Sequence, residues 1–254
     1  MGMKWAAAWI GAAAALFFCG CSTVEDQLRE SDITLTELES RMRKATDPEG
    51  NFAKSRTYAM LQDISIPRFL DDPDEYLVEV KFERPDKFSL TTYQENKPVG
   101  MWCSDGKRGW VVDYGARTVK VLDGAELRRM LVMSQIGNPR ESYGKIFPQV
   151  DVFLCDNEDG RFYRIDCRGE GQPSPFSIYV DAKTYLIRRV KFDLPVGSGR
   201  LDYDARIIRY EMREGVMIPM FSEIVQNGER QEGKITSYRL DQEFKDLDFM
   251  PPVF

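Results

Sequence analysis

The chain of 254 residues contains no histidine. That absence removes the usual base of Ser-His-Asp and Cys-His catalysis and the commonest transition-metal ligand. Cysteine is scarce, with five in the whole chain. No two of them stand in CxxC spacing, so a zinc site is not expected. No block of lysine and arginine interrupts an acidic balance of −6, which argues against nucleic acid as a partner. The longest uncharged apolar run, 5–18, is shorter than the roughly 20 residues that span a bilayer. Nucleophile elbows, phosphate loops and metal motifs are missing as well. The expectation is a protein that is not an enzyme and carries no metal or dissociable cofactor.

What is present begins at the N-terminus. Lys4 precedes the alanine-rich run 5–18, which ends in Leu16-Phe17-Phe18-Cys19-Gly20-Cys21-Ser22. A basic start, a short apolar stretch and a small residue before the cut are the parts of an export signal. Two cysteines compete for the cut. Phe18 before Cys19 is too bulky, whereas Gly20 before Cys21 is small. Residues 1–20 therefore read as a cleaved signal, with cleavage between Gly20 and Cys21. An ordinary signal peptide or an uncleaved anchor are the alternatives.

Beyond Cys21 the pattern is helical over 23–45. Leu28, Leu35, Leu38 and Met42 recur on one stripe, and Asp47-Pro48-Glu49-Gly50 stops the run. From residue 52 the period changes to two. Strands are expected near 58–66, 75–82, 87–93, 99–104, 107–113 and 117–122. Asp105-Gly106 supplies a hairpin signal between two of them. A second helix is expected over 124–134 and a loop over 135–148. Seven further strands follow between 150 and 240, with Asn227-Gly228 as another hairpin signal. The acidic groups Asp71, Asp72, Asp74 and Glu75, and Asp156, Glu158 and Asp159, read as solvated turns.

About a dozen strands and two helices make an α+β chain that is mainly β. Twist accumulates over so many strands, so the expected fold is an incomplete antiparallel β-barrel with a helical lid. The expected organisation is a signal over 1–20, an N-terminal segment with an amphipathic helix over 21–50, and a half-barrel domain over 51–254 on which the 24–45 helix packs. Cys155 and Cys167 flank the turn-like 156–160 stretch and are the candidate disulfide. A tight hairpin there would not place them opposite each other, so register argues against the bond.

Several segments resemble one family. Glu83-Arg84-Pro85-Asp86-Lys87-Phe88-Ser89-Leu90 is similar to its turn-and-strand motif, and Cys103-Ser104-Asp105-Gly106-Lys107-Arg108-Gly109-Trp110 to its hairpin. Gly215-Val216-Met217-Ile218-Pro219 and Asp246-Leu247-Asp248-Phe249-Met250-Pro251-Pro252 resemble its closing strands and tail. The family is the superfamily of LolA-like and LolB-like lipoprotein carriers and receptors. The N-terminal Cys21 likewise resembles the modified cysteine of bacterial lipoproteins.

The resemblance implies a cavity for acyl chains of lipids or lipoproteins and a part in lipoprotein sorting or insertion. It also implies a covalent diacylglyceryl and N-acyl (palmitate-type) anchor on Cys21, and an outer-membrane location facing the periplasm. Partners would be that membrane and an acylated client, with the protein itself a monomer. An acyl site must be apolar and deep. Candidate lining residues are Phe88, Leu90, Met101 and Trp110 on strands and Leu127, Met130, Leu131 and Met133 on the lid. Met101 and Trp102 point to opposite faces, so both cannot line one cavity. The competing reading is a non-enzymatic envelope scaffold or sensor that uses the same fold to bind a protein partner.

Overall fold

The computed structural model describes residues 26–68, 71–122, 124, 126–128, 131, 142–169, 174–196 and 199–254. The lipidation and cleavage positions Cys21 and Gly20, and the lid candidates Met130 and Met133, lie outside them.

Fourteen strands form one sheet among the described residues. They are β1 (Gln27–Glu30), β2 (Thr57–Ile66), β3 (Asp74–Glu83), β4 (Lys87–Gln94), β5 (Lys97–Asp105), β6 (Gly109–Asp113) and β7 (Thr118–Leu122). The second series is β8 (Gln149–Asn157), β9 (Gly160–Arg168), β10 (Phe176–Asp181), β11 (Ile187–Val196), β12 (Gly199–Arg213), β13 (Val216–Gln226) and β14 (Glu229–Leu240). The spatial order is β1-β8-β9-β10-β11-β12-β13-β14-β2-β3-β4-β5-β6-β7. Every neighbouring pair is antiparallel. Thus two meanders join where β14 pairs with β2. The sheet does not close, since β1 and β7 each have one neighbour.

The hairpin signals do what their residue types require. Asn227 and Gly228 both take positive φ, 52° and 82°, as a two-residue turn matching strand twist demands. At the β5–β6 turn the Asp105 carboxylate accepts the Lys107 and Arg108 amides at 2.8 and 2.7 Å.

The N-terminal helix is shorter than its stripe suggested. Helix α1 spans Leu35–Thr46, and residues 27–30 form β1 instead of its first turns. β1 covers the edge of β8, with Gln27 opposite Asp156 and Glu30 opposite Phe153. Backbone pairing to an otherwise open edge outweighs the helical period there. Thr34 then caps α1 by accepting the Glu37 amide. Asp47 ends α1, and its carboxylate accepts the Phe52 and Ala53 amides of the one-turn helix α2 (Asn51–Lys54).

Sheet curvature gives an inner and an outer face. Leu38 and Met42 of α1, with Tyr143 of α3 (Tyr143–Ile146) and Phe147 just after it, fill the inner face of β9–β11. There they meet Tyr163, Ile165, Phe176, Ile178 and Val180. The stretch read as a loop over 135–148 therefore supplies part of the core. Helical residues Leu127 and Leu131 pack on Phe82 and Phe88 of the first meander. On the outer face, Asp246 and Asp248 of a 3₁₀ turn (Asp246–Phe249) bond Lys87 and Lys81 at 2.9 Å, and Phe249 is fully buried.

The proposed disulfide does not form. Cys103, Cys155 and Cys167 are free and buried. Cys155 faces Phe162 across the β8–β9 ladder while Cys167 faces Val150. Five positions along a strand are roughly 17 Å, far beyond the reach of an S–S bond.

Alternating strand direction sorts the turns onto two rims. The β3–β4, β5–β6, β8–β9, β10–β11 and β12–β13 turns share one rim with the start of β2 and the end of β14.

Candidate functional site: a cavity inside the half-barrel

A cavity of about 910 Å³ lies between α1 and the inner face of the sheet. Its walls come from β2 (Tyr58, Met60), β3 (Phe82), β11 (Ile187, Val190) and β12 (Ile207, Tyr210). β13 adds Met217, Ile218 and Pro219, β14 adds Ile235 and Tyr238, and Phe52 of α2 completes the apolar lining. Walls on β2–β3 and on β11–β14 can enclose one space only because the sheet bends round it.

Helix α1 is two-sided. Leu38 and Met42 face the filled core, whereas Thr36, Glu39, Arg43 and Thr46 face the cavity. This division follows from the helical period of 3.6. Glu39 is buried, yet fully employed. Its Oε1 accepts the Ser142 hydroxyl at 2.9 Å and the Tyr143 amide at 2.7 Å. Its Oε2 lies 3.9 Å from Arg43. A buried carboxylate is tolerable only when so satisfied, and here it ties α3 to α1.

The aromatic lining is chemically quiet. Burial pushes the Tyr58 hydroxyl up to about 12. Burial likewise raises Tyr210, whose hydroxyl donates to the Ile187 carbonyl at 2.6 Å. These phenols stay neutral at physiological pH and line the cavity. Tyr58 stacks on Phe82 and on Tyr238 with centroids 5.2 and 5.9 Å apart.

The mouth is polar. The exposed residues Thr36, Arg43, Pro85 and Lys145 border it, together with Arg84 and Asp86. Arg84 donates to the Ser55 and Phe52 carbonyls, both at 2.7 Å, and lies 4.7 Å over the Phe52 ring. That clamp fixes the β3–β4 turn against α2 and shapes the opening. Apolar walls with a charged rim suit a ligand with a hydrophobic tail and a polar end.

Of the eight candidate lining residues, the six that are described, Phe88, Leu90, Met101, Trp110, Leu127 and Leu131, do not border this cavity directly. Phe88 and Leu90 do lie on the inner face, since Phe88 pairs with Phe82 and Leu90 with Val80. Leu127 and Leu131 cover Phe88 and Phe82 from above, at the side of the cavity. Met101 and Trp110 lie on the outer face in a separate cluster with Cys103 and Val112. The register explains this: Leu90 pairs with Trp102, so Met101 and Cys103 point the other way. Trp102 is the inner-face residue, and it is 38% exposed. The inner surface of β3–β5 is thus a half-open apolar apron continuing from the cavity.

Nine of the thirteen wall residues named above belong to β11–β14, brought beside β2 by the β14–β2 pairing, which local sequence patterns do not announce. The alternation Val216, Ile218, Met220 on β13 was a readable sign of a buried face, but not of a hollow one.

No family model and no curated protein matches the chain. Solved structures do. A LolA superfamily protein from Nitrosomonas europaea aligns over 86% of this chain and 98% of its own, at 14% identity and a TM-score of 0.56. A domain assigned to outer membrane lipoprotein sorting, from Vibrio parahaemolyticus, aligns over 84% and 94% at 11% identity and a TM-score of 0.52. A DUF1329 family protein from Desulfovibrio piger aligns over 85% and 95% at 13% identity and a TM-score of 0.53. At such identities the likeness speaks for fold alone. An unclosed, curved antiparallel sheet wrapped round an inner helix, with these neighbours, is the LolA-like fold.

Proposed function

We propose that the protein is a lipid-anchored, non-enzymatic module that binds the acyl chain of a lipid or an acylated lipoprotein in its cavity. In this reading Cys21 carries the anchor and the outer membrane holds it, with the domain facing the periplasm. The domain aids sorting or insertion of its client without making or breaking covalent bonds.

The observation that carries the proposal is the apolar cavity of about 910 Å³ inside a LolA-like half-barrel. Its volume falls in the range of pockets that hold small ligands. Burying about ten methylenes there gains roughly 8 kcal/mol before ordering costs. The neutral tyrosines and the satisfied Glu39 leave no unpaired buried charge to oppose a hydrocarbon chain.

The test is native mass spectrometry of the domain purified without detergent, followed by titration with a fluorescent fatty acid. A co-purifying lipid, or saturable binding displaced by unlabelled fatty acid, supports the proposal. An empty domain that does not bind the probe overturns it and leaves the scaffold reading.

A further inference from the structure

We propose that the rim bearing the cavity mouth docks on the headgroups of the membrane that holds the anchor, so that the cavity exchanges acyl chains with that same membrane. This rests on the acyl-binding reading and on lipidation of Cys21, and adds an orientation and a docking surface.

The first argument is where the chain enters the fold. Asp26 accepts the Tyr179 hydroxyl at 2.6 Å, the Asn157 amide at 3.1 Å and an Arg164 guanidinium N–H at 3.0 Å. Three donors from β8, β9 and β10 thus pin the chain immediately before β1. Gln27 lies opposite Asp156, next to the β8–β9 turn, and β1 runs from there toward the opposite rim. Asp26, the first described residue, therefore stands at the β8–β9 turn rim. Four residues separate Cys21 from Asp26, so five residue steps give a reach of at most about 18 Å. A lipid on Cys21 holds this rim, rather than the other, against the bilayer.

The second argument is what else stands on that rim. The β3–β4 turn, with exposed Pro85 at the cavity mouth, is on it. Among the described residues, the turns of the opposite rim contribute none to the cavity. Two exposed cations, Arg43 and Lys145, border the same mouth. Glu39, the nearest carboxylate to Arg43, is already engaged by Ser142 and Tyr143. Cations held within about a Debye length of anionic headgroups are attracted to them. The tether and the mouth therefore favour one occupant for this rim, the surface of the bilayer that holds the anchor.

The experiment uses the full lipidated chain in vesicles of phosphatidylethanolamine and phosphatidylglycerol. A small fluorophore is attached through Lys107→Cys, on the exposed β5–β6 turn of the mouth rim, or through Ala116→Cys, on the exposed β6–β7 turn of the opposite rim. A nitroxide-headgroup lipid is the quencher. Quenching at position 107 at least threefold stronger than at 116 is expected. Equal quenching, stronger quenching at 116, or a mature mass lacking lipid on Cys21 overturns the proposal. Failure of the acyl-binding reading is seen separately, as loss of fatty-acid binding by the detergent-free domain, and leaves the quenching pattern unchanged.

Discussion

The three described cysteines show how burial, helped by nearby carboxylates, sets reactivity. Desolvation pushes Cys103 and Cys167 up to about 12 and Cys155 up to about 11. The thiolate is the reactive species, so all three should resist an aromatic disulfide reagent at pH 8 in the native protein. Full reaction is expected only in denaturant, as a step in absorbance of three thiols per mature chain once Cys21 carries its lipid. Fast native labelling of any of the three would contradict their burial. Asp26 works in the opposite sense. Burial opposes its ionisation, but the Tyr179 and Asn157 hydrogen bonds and the Arg164 charge outweigh it and hold the pKa below the usual carboxylate value. A carboxylate depressed on folding stabilises the native state above its unfolded pKa, near 4. That contribution is lost as pH falls through the lower folded value. Asp26→Asn should therefore lower stability at pH 7 and flatten its decline below about pH 4, read by urea unfolding at each pH.

At the scale of elements, most strands follow from local rules. Alternation placed thirteen of them within a few residues, and Asp105-Gly106 and Asn227-Gly228 marked their turns because few residues tolerate positive φ. At Gly228 φ is +82° and an added Cβ would meet nothing within 4 Å. Gly228→Ala should then cost about 1 kcal/mol through backbone strain alone, with the fold unchanged by circular dichroism. Helix α1 depends on docking instead. Leu38 is fully buried between α1 and the β9–β11 face, so Leu38→Ala should cost about 3 kcal/mol. Leu247→Ala, at an 80% exposed position, should cost less than about 0.5 kcal/mol. The element that the period misjudged is β1. Its four residues carry Leu28 on the helical stripe, but the open β8 edge offered backbone partners that no local pattern announces.

At the scale of the whole molecule, the two halves of the inner face differ. α1 and α3 fill the β9–β11 side, while the side facing β2, β3 and β12–β14 keeps a hollow. Ile207 lines that hollow without belonging to the fully buried core. Ile207→Trp should therefore occupy the cavity and weaken fatty-acid binding at least tenfold, with the thermal midpoint shifted by only a few degrees. Unchanged affinity in a folded variant would place the acyl site elsewhere, on the apron around Leu90 and Trp102.

What the sequence by itself determined is what acts over short spans: the strand alternation and the turns. Each depends on the chemistry of neighbouring residues, so it is legible in the chain. The tertiary structure alone decided which apolar face encloses space. Phe88 and Trp110 look equally apolar as letters, yet register sends one to the inner face and the other to the outer. The cavity exists because β14 pairs with β2, across some 170 residues of sequence. Curvature and long-range pairing minimise exposed edge and apolar area over the whole sheet, and no local window of residues contains that balance.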